Sequence, residues 1–154
     1  MMKNLREIYN KFRDYDYEDM GNDREYRIKT PDEFEEVHGG VCWDFVGPMA
    51  LELAKHGVPW KCYYTGIHKG HRTLATHTYI IAERHQWIEC SGQKHKGIHH
   101  VDSFRDVVSL LLNTYQGSVG HTVIYNPLRT FGMSTDEFFE YLEEEGRYLC
   151  AIYP

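Results

Sequence analysis

The segment Gly39-Gly40-Val41-Cys42-Trp43-Asp44-Phe45 holds the residue types and spacing best suited to chemistry. A glycine pair leads straight into a cysteine at the first turn of an expected helix over residues 42–56. Unpaired N–H groups and the positive end of the helix dipole favour a thiolate over a thiol at such a place. A thiolate is a nucleophile near neutral pH. The glycines would let the backbone bend closely around a bound substrate. The plainer reading, that Cys42 fills a small space at a helix start, weighs equally on this local pattern alone.

A nucleophilic cysteine needs a base, and ten histidines are available. His77 stands at the mouth of the apolar strand His77-Thr78-Tyr79-Ile80-Ile81-Ala82, where a rigid element can hold its ring. His68, His71, His85 and His95 lie in polar, loop-like surroundings and read as solvated surface residues. His99-His100, just before a helix cap, is a weaker rival. Only the pairing with Cys42 raises His77 above an ordinary core histidine.

A base in turn needs an acceptor that fixes its tautomer and stabilises the imidazolium. The next strand, Trp87-Ile88-Glu89-Cys90-Ser91, puts Trp87, Glu89 and Ser91 on one face. A three-residue hairpin loop at Glu83-Arg84-His85 brings that face to the side of His77; a two-residue loop does not. Register therefore decides whether Glu89 meets His77 directly or diagonally. Glu89 is the only carboxylate of this strand, and a carboxylate at an apolar strand position calls for a reason. The plainer one is a half-exposed glutamate at a sheet edge.

The elements that must position these residues are legible in outline. Leu5, Ile8, Tyr9 and Phe12 have helical spacing over residues 3–14. The acidic, tyrosine-rich residues 14–25 suit no element. Thr30-Pro31-Asp32-Glu33 starts a short helix that ends near Gly39-Gly40. The helix over residues 42–56 ends at Gly57 with Pro59 beyond it, and Pro48 should kink it or make its first turn irregular. Strands are expected over residues 60–65, 77–82, 86–90, 121–125 and 148–153. Ser103 with Asp106, and Ser134 with Glu137, each open a further helix. Helices before and between clustered strands indicate an α+β fold with a mostly antiparallel sheet.

Composition bounds the rest. With 154 residues, 42% of them hydrophobic, the chain can bury a real core and reads as one domain, residues 1–154. No stretch approaches the roughly 20 apolar residues that span a bilayer, and the charged start lacks a secretory h-region. The expectation is a soluble cytoplasmic protein with no membrane partner. The net charge of −6 and the want of a basic cluster argue against nucleic acid. Cys42, Cys62, Cys90 and Cys150 are far apart and read as free thiols, the last three as small buried hydrophobes.

Taken together, these residues resemble the transglutaminase-like/papain-like cysteine enzyme superfamily. Gly40-Val41-Cys42-Trp43-Asp44 is similar to its nucleophile turn, typically glycine, any residue, cysteine, any residue, aspartate. Cys42-Trp43 is similar to the cysteine-tryptophan pair of papain-type peptidases. Residues 51–65, with His56-Gly57-Val58-Pro59 at their centre, resemble the family's helix, glycine turn and strand. His77-Thr78-Tyr79 resembles its histidine strand and Trp87-Ile88-Glu89 its third-residue strand. The resemblance spans residues 39–91, about a third of the chain. Two departures stand out: the family's aspartate commonly falls four residues after the tryptophan, here Ser91, so the role passes to Glu89; and Val46-Gly47-Pro48 replaces a regular helix with a small alanine.

The resemblance implies a nucleophile helix packed on the sheet, a Cys42-His77-Glu89 triad and a thioester intermediate. The implied reaction hydrolyses an amide, peptide or isopeptide, in a peptide or protein substrate, with transglutaminase or deamidase activity as variants. The Cys42 N–H would contribute to an oxyanion hole, and no metal or organic cofactor is required. Two rival readings are a protein-binding module that keeps this fold without turnover, and a metal site at His95 and His99, which lack a partner pair.

Overall fold

A computed structural model of the chain describes residues 2–18, 25–92 and 94–154. Among them are five α-helices and a six-stranded antiparallel sheet, an α+β architecture. Leu5, Ile8 and Phe12 are buried on helix α1 (Met2–Phe12). Helix α2 (Pro31–Val37) has a reciprocal cap: the Thr30 hydroxyl accepts the Glu33 N–H and the Glu33 carboxylate accepts the Thr30 N–H. It stops at His38, which adopts a left-handed backbone (φ 58°), just before the glycines expected to end it. Of the unassigned residues 14–25, residues 19–24 lie outside the described residues.

Helix α3 (Cys42–Lys55) packs against α1, α2 and strands of the sheet. Every residue from Cys42 to Ala50 is buried, so this is a helix sunk in the core and not a half-exposed amphipath. It continues unbroken through Pro48. Pro48 lacks an N–H, which leaves the Asp44 carbonyl without its helical donor. A Cβ on the preceding Gly47 would collide with the Phe131 ring, so glycine there admits a second element against the helix. Gly57, at φ 67°, turns the chain out.

The sheet runs β6-β5-β4-β3-β7-β8, all antiparallel, from β3 (Trp60–Lys69), β4 (Arg72–Ala82), β5 (Gln86–Glu89), β6 (Gly97–His100), β7 (Val119–Tyr125) and β8 (Arg147–Ile152). Strands β3 and β4 extend well past their apolar stretches because they pair with each other as one long hairpin. Strand β6 was not expected; it is short and histidine-rich, and pairs with all of β5.

Period-two alternation divides the core between the two faces of the sheet. Cys62, Tyr64, Ile80, Ile88 and Cys90 pack with α1, α2, α3 and α5 (Thr135–Glu145). Tyr63, Ile67, Tyr79 and Trp87 pack under α4 (Phe104–Tyr115). Ser103 caps α4 by accepting the Arg105 N–H, whereas Asp106 reaches the N–H of Asp102 and not that of Ser103, so the expected reciprocal box is shifted by one residue. Ser134 and Glu137 do form such a box on α5. All four cysteines are free; Cys150, on the outermost strand, is only half-buried. Among the described residues no helix is long and apolar enough to cross a membrane.

Candidate active site

Cys42 is the first residue of α3, and the turn before it is held on two sides. Strand β2 (Gly39–Gly40) pairs in parallel with β1 (Asp16–Tyr17). A Cβ on Gly39 would collide with the Asp16 carbonyl, and one on Gly40 with the Asp44 carboxylate. Close packing therefore demands the glycine pair, a reason the sequence did not show.

Asp44 is fully buried and spans this turn. Its Oδ2 accepts the Val41 N–H at 2.9 Å and its Oδ1 the Lys29 N–H at 2.8 Å. The Tyr26 hydroxyl donates to Oδ2, and the Lys29 ammonium lies 3.6 Å from it. Burial pushes the Asp44 carboxyl up, against the opposing pull of these hydrogen bonds, and burial beside Asp44 pushes Tyr26 up as well. The result is a closed polar cluster that fixes the N-terminus of α3 (Lys29 and Tyr26 come from the segment before α2) and with it the position of Cys42.

His77 and Glu89 come from adjacent strands. His77 Nε2 lies 2.5 Å from Glu89 Oε1. The other carboxylate oxygen accepts the Ser91 N–H at 3.1 Å, the Ser91 hydroxyl at 3.0 Å and the Gly92 N–H at 2.8 Å. Burial alone would raise the Glu89 pKa; the His77 charge and these donors outweigh it, and the carboxyl is held below its ordinary value. Burial would likewise lower the His77 pKa. The Glu89 charge and hydrogen bonding to Cys42 and Glu89 overcome that, and the imidazole is held well above its ordinary value. Cys42 thus acts on the same ring that Glu89 holds. With Nε2 taken by the carboxylate, Nδ1 is the nitrogen left for the thiol.

The hairpin explains the apposition. β4 and β5 are joined by the three residues Glu83-Arg84-His85, with Ala82 opposite Gln86 and Ile80 opposite Ile88. Counted onward, that register sets Ser91 opposite His77 and Glu89 two residues short of it. β5 has ended at Glu89, so no paired strand covers His77 on that side. The longer glutamate side chain crosses the diagonal.

The site is enclosed: Cys42 is 5% exposed and the His77 side chain 15%. A cavity of about 230 Å³ adjoins His77 and Glu89, with Tyr17 and Lys94 in its wall. Of the remaining histidines, His95 lines this same cavity and the others lie elsewhere. His68 Nε2 and His121 Nδ1 are 2.8 Å apart, His85 bonds the Asp102 carbonyl, and His99 bonds the carbonyl of His95, whose own ring meets Thr114. His68 and His95 are half-buried and bonded, not the solvated residues expected. Ser91 and Gly92, which support Glu89, and Tyr26 and Lys29, which support Asp44, carry no motif. Only the position of Ser91, four residues after Trp87, hinted at a part in the site. Compared with protein-family models, curated proteins and solved structures, the chain gives no match.

Proposed function

We propose that the protein is a cysteine-dependent acyl-transfer enzyme of papain/transglutaminase-like arrangement, hydrolysing an amide bond in a peptide or protein through Cys42, His77 and Glu89. One observation carries this reading: His77 Nε2 is held 2.5 Å from the buried Glu89 carboxylate, on a ring whose proton affinity Cys42 also raises. In the reaction, the Cys42 sulfur attacks the carbonyl carbon and its proton resides on His77. The oxyanion meets the Cys42 N–H, which as a first-turn donor has no helical acceptor. His77 gives the proton to the leaving amine as the C–N bond breaks, and a thioester remains. His77 then takes a proton from water, whose oxygen attacks the thioester as the C–S bond breaks, releasing the acid and restoring the Cys42 thiolate beside protonated His77. Glu89 stays ionised throughout and holds the imidazolium.

The 5% exposure of Cys42 favours a second reading, a binding module without turnover. Alkylation by iodoacetamide, followed at each cysteine by mass spectrometry across pH, separates the two. The enzyme reading expects Cys42 to react first and His77→Ala to abolish that lead. Labelling of Cys42 no faster than of the more exposed Cys150 would sink it.

A further inference from the structure

Beyond Tyr64 the face of the sheet that carries α3 and α5 is left uncovered, and it forms an open groove of about 810 Å³, within the size range of ligand-binding pockets. Val123 and His121 supply part of its floor, Phe139 and Leu142 of α5 one wall, and Tyr148 of β8 the opposite rim. Phe139 and Tyr148 are 39% and 58% exposed, an unusual commitment of two aromatic side chains to solvent along one groove.

Aromatic contacts connect the groove to the start of α3. The Trp43 ring, next in chain to Cys42, meets Phe139 edge-on with centroids 5.8 Å apart, and Phe139 meets Tyr64 edge-on at 5.9 Å. The wall is also charged with one sign. α5 contains six acidic residues and no basic one. Asp136, Glu140 and Glu143 recur at i, i+4 and i+7 and are exposed, forming an acidic ridge on the flank where Glu143 enters the groove.

We propose that this groove binds the acyl-side segment of a polypeptide substrate that presents a bulky apolar side chain between Phe139 and Tyr148 and a basic side chain to the Glu140–Glu143 ridge. The assignment rests on the cysteine-enzyme reading for its direction, since the bound segment must lead its carbonyl to Cys42. Its binding surface is separate from the triad. Charge complementarity selects a cationic segment, and the size of the groove suits one or two large side chains.

The test uses the full chain carrying Cys42→Ala, so that binding is read without turnover. Three fluorescein-labelled peptides on a glycine-serine background are compared by anisotropy: phenylalanine flanked by two arginines, phenylalanine flanked by two glutamates, and alanine flanked by two arginines. The arginine-phenylalanine peptide is expected to bind at least about tenfold tighter than either control. Phe139→Ala, an exposed position, should weaken it about tenfold. Glu140→Gln with Glu143→Gln should erase the preference for arginine over glutamate flanks and flatten the salt dependence. Equal binding of the three peptides, or indifference to Phe139→Ala, would overturn the proposal. So would sedimentation showing that a second copy of the chain fills the groove in a Phe139-dependent dimer. Selective binding by a wild-type protein that turns nothing over would uphold the groove and remove the enzyme reading. Turnover indifferent to Phe139 would do the reverse.

Discussion

Glu89 reaches the His77 ring diagonally across two strands, while Ser91, at the position opposite His77, turns its hydroxyl to the far oxygen of the same carboxylate. The two residues therefore divide one task. Glu89 meets the ring, and Ser91, with the Gly92 N–H, keeps Glu89 ionised and aimed. A carboxylate engaged by an imidazole on one oxygen and three donors on the other has little rotational freedom. That fixes the orientation of the His77 ring.

Substitution at the two positions should accordingly separate. Glu89→Gln keeps the shape and removes the charge that raises the His77 pKa; turnover of a peptide ester, or the alkylation lead of Cys42, should fall by roughly 10²–10⁴-fold. Ser91→Ala removes one of four partners and should cost about 1 kcal/mol in urea denaturation with a much smaller kinetic loss. Equal losses from the two variants would contradict the division.

The pair also sets a pH signature. His77 is held well above the ordinary imidazole value of about 6.5, whereas His95 and His121 are held below it, each chiefly by burial. Ring-carbon NMR should order their midpoints that way, and Glu89→Gln should bring His77 down toward the others. Because the folded pKa of His77 is raised, its contribution to stability is complete below about pH 6.5 and fades as pH climbs through the folded value. Glu89, whose folded pKa is depressed, contributes above its unfolded value of about 4.3 and loses that contribution as pH falls through the folded one. Stability of the wild type relative to a His77→Gln, Glu89→Gln double variant should thus shrink at both the alkaline and the acid end. A difference flat in pH would mean that the pair is not charged.

Much of this geometry was legible before any coordinates, and the missing parts have a common cause. Local chemistry announced α2 through Thr30-Pro31-Asp32-Glu33, α5 through Ser134 and Glu137, and the β4–β5 turn through its polar residues, while leaving open the loop length that sets His77 and Glu89 on one face. Strand β6 was hidden because Gly97-Ile98-His99-His100 has no alternation of its own; it is a strand because β5 offers a partner edge. The Tyr26-Lys29-Asp44 cluster joins residues 15 and 18 positions apart with no spacing rule behind it. Gly39-Gly40 was read as freedom, although both glycines are compelled by what presses on them. Long-range packing is what a linear pattern does not carry.

The cysteines should sort by setting. Cys62 is fully buried, its thiol pushed up to about 12 by that burial, and it contacts the Thr78 hydroxyl at 3.6 Å. A thiol with that value is ionised to roughly one part in 10⁵ at pH 7. Burial also pushes the Cys90 thiol up. Brief iodoacetamide treatment of the native protein should leave Cys62 and Cys90 unmodified while Cys42 is labelled. Labelling of Cys62 at a rate matching Cys42 would show that alkylation reports local unfolding.

The nucleophile turn makes a sharper test, because Gly40 and Asp44 compete for one volume. Asp44→Ala removes a buried carboxylate and strands the N–H groups of Val41 and Lys29, at an expected cost of about 3 kcal/mol. Gly40→Ala drives a methyl group into the same carboxylate and should cost roughly 1–3 kcal/mol. In the double variant the carboxylate is gone and the new methyl has room. The two costs should therefore fail to add, with a coupling of about 1 kcal/mol or more in urea denaturation. Strict additivity would show that Gly40 is required for some reason other than Asp44. Both single variants should also slow alkylation of Cys42, since the carboxylate that caps the Val41 N–H is what holds the first turn of α3 in place.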